Sequence, residues 1–159
     1  MKKNVLFVCN GNVFRSSVAE KLFEKVLNKN KIKEVDVDSA GLVDHYEGVM
    51  LEKFLSKNTL KLALKYGVDL RRHKPKLVNK KMVKNATIII VFSTYLKKKF
   101  LKKHPEAKNK VKILKRLVGY KHNINMNDLK GKSSQKHEKF IREIDKILRK
   151  KADRILVFE

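Results

Sequence analysis

Cys9 and Arg15 are separated by five residues, Asn10-Gly11-Asn12-Val13-Phe14. An apolar run, Val5-Leu6-Phe7-Val8, precedes them, and Val18, Ala19, Leu22, Phe23, Val26 and Leu27 follow at three- and four-residue spacing. The run reads as a buried strand, about Asn4 to Val8, and the spacing as an amphipathic helix, about Ser16 to Asn28. Cys9 therefore ends a strand, and Arg15 stands at the entrance to a helix. A loop this short curls so that its backbone N–H groups point inward, and the helix adds its positive end. Such a nest binds a tetrahedral oxyanion, and Arg15 offers two of its oxygens a planar fork of donors. The same positive field favours the thiolate of Cys9, the nucleophilic form of cysteine. This is the chemistry of phosphoryl transfer through sulfur. A lone cysteine at a strand end is otherwise a small buried hydrophobe, but that reading leaves Gly11, Asn12, Arg15 and Ser16 unaccounted for.

The longer string Val-Cys-x-Gly-Asn-x-x-Arg-Ser-x-x-Ala-Glu, from Val8 to Glu20, resembles the active-site signature of the low-molecular-weight protein tyrosine phosphatases. Asp38-Ser39-Ala40-Gly41 and Gly67-Val68-Asp69-Leu70 followed by His73 resemble two further segments of that family. Asp128, ahead of the final helix and followed by Gly131-Lys132-Ser133, falls at the place of its acid loop. The resemblance implies that Cys9 forms a cysteinyl-phosphate. Asn10, Gly11, Asn12, Val13, Phe14, Arg15 and Ser16 are implied to hold the phosphate. Asp128 is implied to serve first as general acid and then as base. Asn12, Ser16, Ser39 and His73 are implied to form a hydrogen-bonded network that supports the loop. Val13 is implied to line the substrate slot, with an aromatic wall drawn from the loop Leu42 to Gly48. His45 and Tyr46 both qualify for that wall.

The sequence departs from the family pattern in two places. Leu129 and Lys130 stand where proline and an aromatic are usual, and Phe92-Ser93-Thr94 where an acidic residue is usual. Lys130 at the slot suits an acidic peptide or a small anionic phosphoester. Capping of the coming helix is the plainer role for Asp128, but it is the one acidic residue between Glu106 and Glu138.

The elements that must position these residues can be read in order. Val35 to Asp38 alternates as a second strand, ended by Ser39-Ala40-Gly41. A parallel strand-helix-strand unit binds its ligands at the carboxyl ends of the strands, so Cys9 and Ser39 are expected in one crevice. Leu51 to Tyr66 reads as one amphipathic helix stopped by Gly67 in the left-handed conformation. Thr87 to Phe92, with Ile88-Ile89-Ile90-Val91, reads as a central parallel strand buried on both faces. Ser93 or Thr94 caps a helix from Tyr95 to Lys103. Val111 to Leu114 is a fourth strand, Leu117 to Asn127 an irregular loop, and Ser134 to Lys150 an amphipathic helix. The tail, residues 152–159, is open between further helix, an edge strand and a contact surface. The expected fold is thus α/β: one three-layer domain over residues 1–159, with a four-stranded parallel sheet flanked by helices and a phosphate-binding loop after strand 1.

Composition bounds the function. The chain has 159 residues, 40 Lys and Arg against 16 Asp and Glu, and a net charge of +24. That charge suits anionic partners, nucleic acid among them. The lysines are spread along the chain without interleaved aromatics, so a solvated basic surface that attracts anionic substrates is the favoured reading over nucleic-acid binding. One cysteine excludes an internal disulfide and a multi-cysteine metal site. Met1-Lys2-Lys3 and the short apolar run are too short for a signal peptide, and no stretch has the length of a membrane span. A free thiolate suits the reducing cytoplasm.

The sequence therefore predicts a cytoplasmic, monomeric phosphomonoesterase of the tyrosine phosphatase type, without cofactor or metal. Its expected substrate is a phosphotyrosine protein or a small aryl phosphate. Val13, an apolar residue, suits an aromatic ring; the resemblance implies that a threonine there would point to phosphoarginine, as in a related branch of the family. Two rival readings are arsenate reduction with an external thiol, and a phosphate- or nucleic-acid-binding protein with little or no catalysis.

Overall fold

The computed structural model describes residues 2–44, 46–129 and 133–158. Four strands, β1 (Lys3–Cys9), β2 (Val35–Gly41), β3 (Ile88–Val91) and β4 (Val111–Ile113), form a parallel sheet in the order β2-β1-β3-β4. Helices α1 (Arg15–Lys29), α2 (Lys57–Lys65), α3 (Lys80–Asn85), α4 (Thr94–Lys103), α5 (Leu114–Leu117) and α6 (Ser134–Leu156) surround it. The chain moves outward from β1 to β2 through α1, and in the opposite direction from β3 to β4 through α4. With right-handed crossovers, those two helices lie on opposite faces, giving three layers. The strand order reverses between β1 and β3, which opens a crevice at their carboxyl ends. The loop after Cys9 occupies it.

The two central strands are apolar because they are covered on both faces. Val5 to Cys9 and Ile88 to Val91 are all buried. Phe7 meets Phe23 of α1 edge-on at 5.9 Å and Phe92 in a stack at 6.3 Å, and Phe92 reaches Phe140 of α6 at 6.2 Å. Each fully buried side chain of this size contributes roughly 1.5–3 kcal/mol, so the floor beneath the crevice is rigid.

The structure departs from the sequence expectations at three places, and it decides the tail that the sequence left open. The helix expected over Leu51 to Tyr66 is two pieces, a 3₁₀ turn at Leu51–Lys53 and then α2. Ser56 causes the break: its hydroxyl accepts from the Thr59 amide at 3.1 Å and starts a new helix there. The helices α3 and α5 were not anticipated; both are too short for apolar periodicity to register. Asn79 caps α3 by accepting from the Met82 amide. The tail is helix: α6 runs on through a kink at Lys151 to Leu156. Ile155 is buried, and Lys3 Nζ donates to the Leu156 and Phe158 carbonyls at 2.6 and 3.2 Å. Ser93 caps α4, accepting from the Leu96 amide at 3.1 Å. Gly67, at φ +77°, follows the end of α2 in the left-handed conformation.

Candidate active site

Cys9 closes β1 opposite Gly41 at the end of β2, and α1 starts at Arg15. The loop between them turns inward at Asn12, whose φ of 57° is left-handed, a conformation that asparagine tolerates better than most side chains. That turn aims the Asn12 amide N–H at Cys9 Sγ, 3.2 Å away, while Ser16 Oγ lies 3.0 Å from the same sulfur. Asn12 Nδ2 donates to Ser16 Oγ at 2.8 Å. A thiolate at Cys9 has no proton to give, so in that form the Ser16 hydroxyl is the donor to the sulfur. Cys9, Asn12 and Ser16 are all buried.

Further hydrogen bonds keep Asn12 in place. Its Nδ2 also donates to Ser39 Oγ at 2.9 Å, its Oδ1 accepts from the Lys76 amide at 3.1 Å, and its carbonyl accepts from His73 Nε2 at 2.9 Å. A carbonyl only accepts, so the His73 proton sits on Nε2. Burial lowers the pKa of His73, with Lys21 and Lys76 adding to the effect against the pull of the Asn12 carbonyl. His73 is therefore a neutral donor at neutral pH. Asn12, Ser16, Ser39 and His73 are thus one connected network.

Arg15 is buried in the first position of α1, and its Nη1 donates to the Met126 carbonyl at 3.0 Å. The Met126 amide in turn donates to the Phe92 carbonyl at 2.8 Å. The segment ahead of Asp128 is thereby fixed to both the phosphate loop and the end of β3. The first turn of any helix leaves its amides without intrahelical acceptors, so the start of α1 adds donors and positive potential beside Arg15.

Cys9, Asn10, Gly11, Val13, Phe14, Arg15, Tyr46, Leu55 and Asp128 line one small cavity of about 30 Å³. A carboxylate and a thiol far apart in sequence thus face the same space. A larger groove of about 350 Å³, between β1, β2 and α3, carries Asn4, Asp36, Asn79 and Met82 and holds no nucleophile; the chemistry belongs to the smaller space. Tyr46 lies across Gly11, where an added Cβ would sit 2.6 Å from its ring, and it packs edge-on against Phe54 at 4.7 Å. His45 and Lys130, two of the expected slot residues, lie outside the described residues, as do Gly131 and Lys132.

The arrangement, a buried thiol at the base of an inward-turned loop beside a helix start and an arginine, is consistent with a cysteine nucleophile, and the chain's likeness to known proteins agrees with it. A family model described as "Low molecular weight phosphotyrosine protein phosphatase" matches residues 4–156. The chain belongs to the low molecular weight phosphotyrosine protein phosphatase family. Over 113 residues it is 26% identical to the low molecular weight protein-tyrosine-phosphatase Wzb of Escherichia coli (strain K12), covering 71% of this chain and 70% of that protein. Over 108 residues it is 32% identical to the low molecular weight protein-tyrosine-phosphatase Ptp of Acinetobacter johnsonii, covering 68% and 69%. Its fold superposes on the crystal structure of a YwlE mutant from Bacillus subtilis with a TM-score of 0.84 at 22% identity, over 98% of this chain and 99% of that one.

Several contacts at this phosphatase-family site were not foreseen from the sequence. Lys99 Nζ donates to Asn10 Oδ1 at 2.5 Å, and Lys103 Nζ to the Leu42 carbonyl at 2.7 Å. They stand one turn apart on α4, but nothing distinguishes them in sequence from the other lysines there. Gly41 packs its α-carbon against the phosphate loop: an added Cβ would lie 2.8–2.9 Å from backbone atoms of Asn10, Gly11 and Asn12. Its place in the Asp-Ser-Ala-Gly string was the available signal. Leu55 and the Met126 carbonyl had none. Among the described residues, no helix is long and apolar enough to cross a membrane.

Proposed function

We propose that this protein is a metal-independent protein tyrosine phosphatase that works through a cysteinyl-phosphate, as a single domain in the cytoplasm. Cys9 attacks phosphorus in line and expels the aryl oxygen. Asp128 gives that oxygen its proton and then takes one from the water that hydrolyses the intermediate. Arg15 and the amides from Asn10 to Ser16 hold the equatorial oxygens, where charge sits in the transition state. Asn12, Ser39 and His73 keep the loop's shape, and the Ser16 hydroxyl stabilises the sulfur as the leaving group of the second step. Val13 and Tyr46 flank the substrate ring.

The observation that supports this reading best is the pair of donors on one buried sulfur, the Asn12 amide and the Ser16 hydroxyl, in a cavity shared with Asp128. Simple anion binding requires no such nucleophile, and a single cysteine leaves arsenate reduction dependent on an outside thiol.

The test is hydrolysis of p-nitrophenyl phosphate in the presence of chelator by wild type, Cys9→Ser and Asp128→Ala. The reading predicts turnover by wild type, none by Cys9→Ser, and a loss of roughly 10²–10⁴-fold for Asp128→Ala, the usual worth of a general acid. Phosphotyrosine and phosphoarginine peptides then separate the two substrate classes, with phosphotyrosine expected to be the better. A wild-type protein that binds phosphate without Cys9-dependent turnover would sink the proposal and leave an anion-binding protein.

A further inference from the structure

His137 belongs to none of the roles above, yet it is buried in the first turn of α6 beside the crevice. It sits on the apolar stripe of that helix, at helical spacing with Phe140, Ile141 and Ile144. A core position there would normally be filled by an apolar side chain. Here an imidazole makes three directed contacts. Its Nε2 lies 2.9 Å from the Leu129 carbonyl, its Nδ1 lies 3.0 Å from Thr59 Oγ1, and its ring packs against Phe14 with centroids 4.6 Å apart.

The proton positions follow from the partners. A carbonyl only accepts, so Nε2 carries the hydrogen and Nδ1 is the acceptor. The Thr59 hydroxyl therefore donates to Nδ1, and Ser56 Oγ in turn donates to Thr59 Oγ1 at 3.1 Å. Thr59 is buried in α2. One ring thus joins α2, the phosphate loop at Phe14 and the residue next to Asp128.

We propose that His137 is a positioning residue that sets the reach of Asp128 into the slot by holding the Leu129 carbonyl. The inference rests on the role of Asp128 proposed above. Residues 127–129 lie outside helix and strand, and Leu129 is not a proline, so the local backbone is not stiffened by a ring. The segment is instead pinned on both sides of Asp128. Upstream, Met126 is held through its carbonyl by Arg15 and through its amide by Phe92. Downstream, Leu129 is held by His137. Burial lowers the pKa of His137, against the pull of the Leu129 carbonyl and the nearby Asp128 charge, in keeping with a neutral ring that has one donor and one acceptor.

A general acid matters most when the departing oxygen is a poor leaving group, so kcat/KM is to be compared on phenyl phosphate and p-nitrophenyl phosphate. His137→Phe keeps the ring on Phe14 and removes both hydrogen bonds. It is expected to lose roughly 10–10²-fold on phenyl phosphate, part of the 10²–10⁴-fold that a general acid supplies, and clearly less on p-nitrophenyl phosphate. The loss is expected to vanish in the Asp128→Ala background, where there is no acid left to place. His137→Gln, which keeps a donor, is expected to recover part of the rate. If His137→Phe does not fold, His137→Gln and Thr59→Val carry the same comparison, each expected to lose less than about 10²-fold on phenyl phosphate but still more there than on p-nitrophenyl phosphate. Equal losses on both substrates, or a loss that persists beside Asp128→Ala, overturn the positioning role alone. Absence of Cys9-dependent turnover in wild type overturns this inference together with the proposed function.

Discussion

The Ser16 hydroxyl lies 3.0 Å from Cys9 Sγ and accepts from Asn12 Nδ2 at 2.8 Å, so the network that shapes the loop also seats a hydroxyl against the sulfur. Ser16→Ala removes that donor and leaves Ser39 as the partner of the Asn12 amide. A hydrogen bond to a charged group contributes about 1.5–3 kcal/mol, so kcat is expected to fall roughly 10–10²-fold. Inhibition by inorganic phosphate should stay near the wild-type value, because the anion is held by the amides and Arg15. Steady-state kinetics with phosphate as inhibitor separates the two effects.

Asn12→Ala tests the centre of the network. The substitution removes three side-chain hydrogen bonds, to Ser16, Ser39 and the Lys76 amide, and asks alanine to keep a left-handed φ. The expected destabilisation is about 2–4 kcal/mol, read as a lower urea midpoint with an unchanged slope. Asn12→Gly relieves the backbone and should lose less.

Gly41→Ala is a test of close packing. Its added methyl would press on backbone atoms of the loop, which cannot swing aside as a side chain can. The loop must shift, and small displacements of reacting groups cost on the order of 10²-fold in rate. A near-wild-type kcat from Gly41→Ala would show that the loop tolerates the shift.

Glu20 gives a pH-dependent prediction. This side chain of α1 is nearly buried beside Lys21, and burial raises its pKa from 4.5 to about 7. Between those values the folded state holds a proton that the unfolded chain has released. Stability is thus greatest below about pH 4.5 in this respect and declines as pH rises to about 7. Glu20→Gln removes that slope. Unfolding free energies from urea titrations should change between pH 5 and pH 8 so that wild type loses on the order of 2 kcal/mol more than the variant. His73 has the opposite sign: its lowered pKa favours folding above 6.5, and that contribution is lost as pH falls through its folded value.

Much of this molecule was legible in its sequence because the relevant signals were local. The apolar runs at Val5 to Val8 and Ile88 to Val91, with helical spacing between them, are enough for a parallel α/β sheet. The short stretch from Cys9 to Arg15 is enough for a phosphate loop. What escaped notice depended on contacts between distant segments. Nothing near Lys99 says that it reaches Asn10, and nothing near Met126 says that its carbonyl meets Arg15. Ser56 was a readable cap that the apolar pattern around it concealed. His137 was readable too, as a polar ring on an apolar stripe, but its partners Thr59 and Leu129 emerge only with the fold.

The loop's partners are drawn from the whole length of the chain: Ser39, His73, Lys76, Lys99 and Met126 stand 27 to 111 residues away from the loop residues they touch. During synthesis, Cys9 emerges long before the residues that hold its loop. A growing or partly unfolded chain carries the thiol and its near neighbours Asn12 and Ser16 without the distant contacts that hold them in place, so the finished loop comes into being at the last stage of assembly. Turnover is therefore a stricter report of complete folding than helix content: on dilution from urea, the far-ultraviolet signal should return before the activity does.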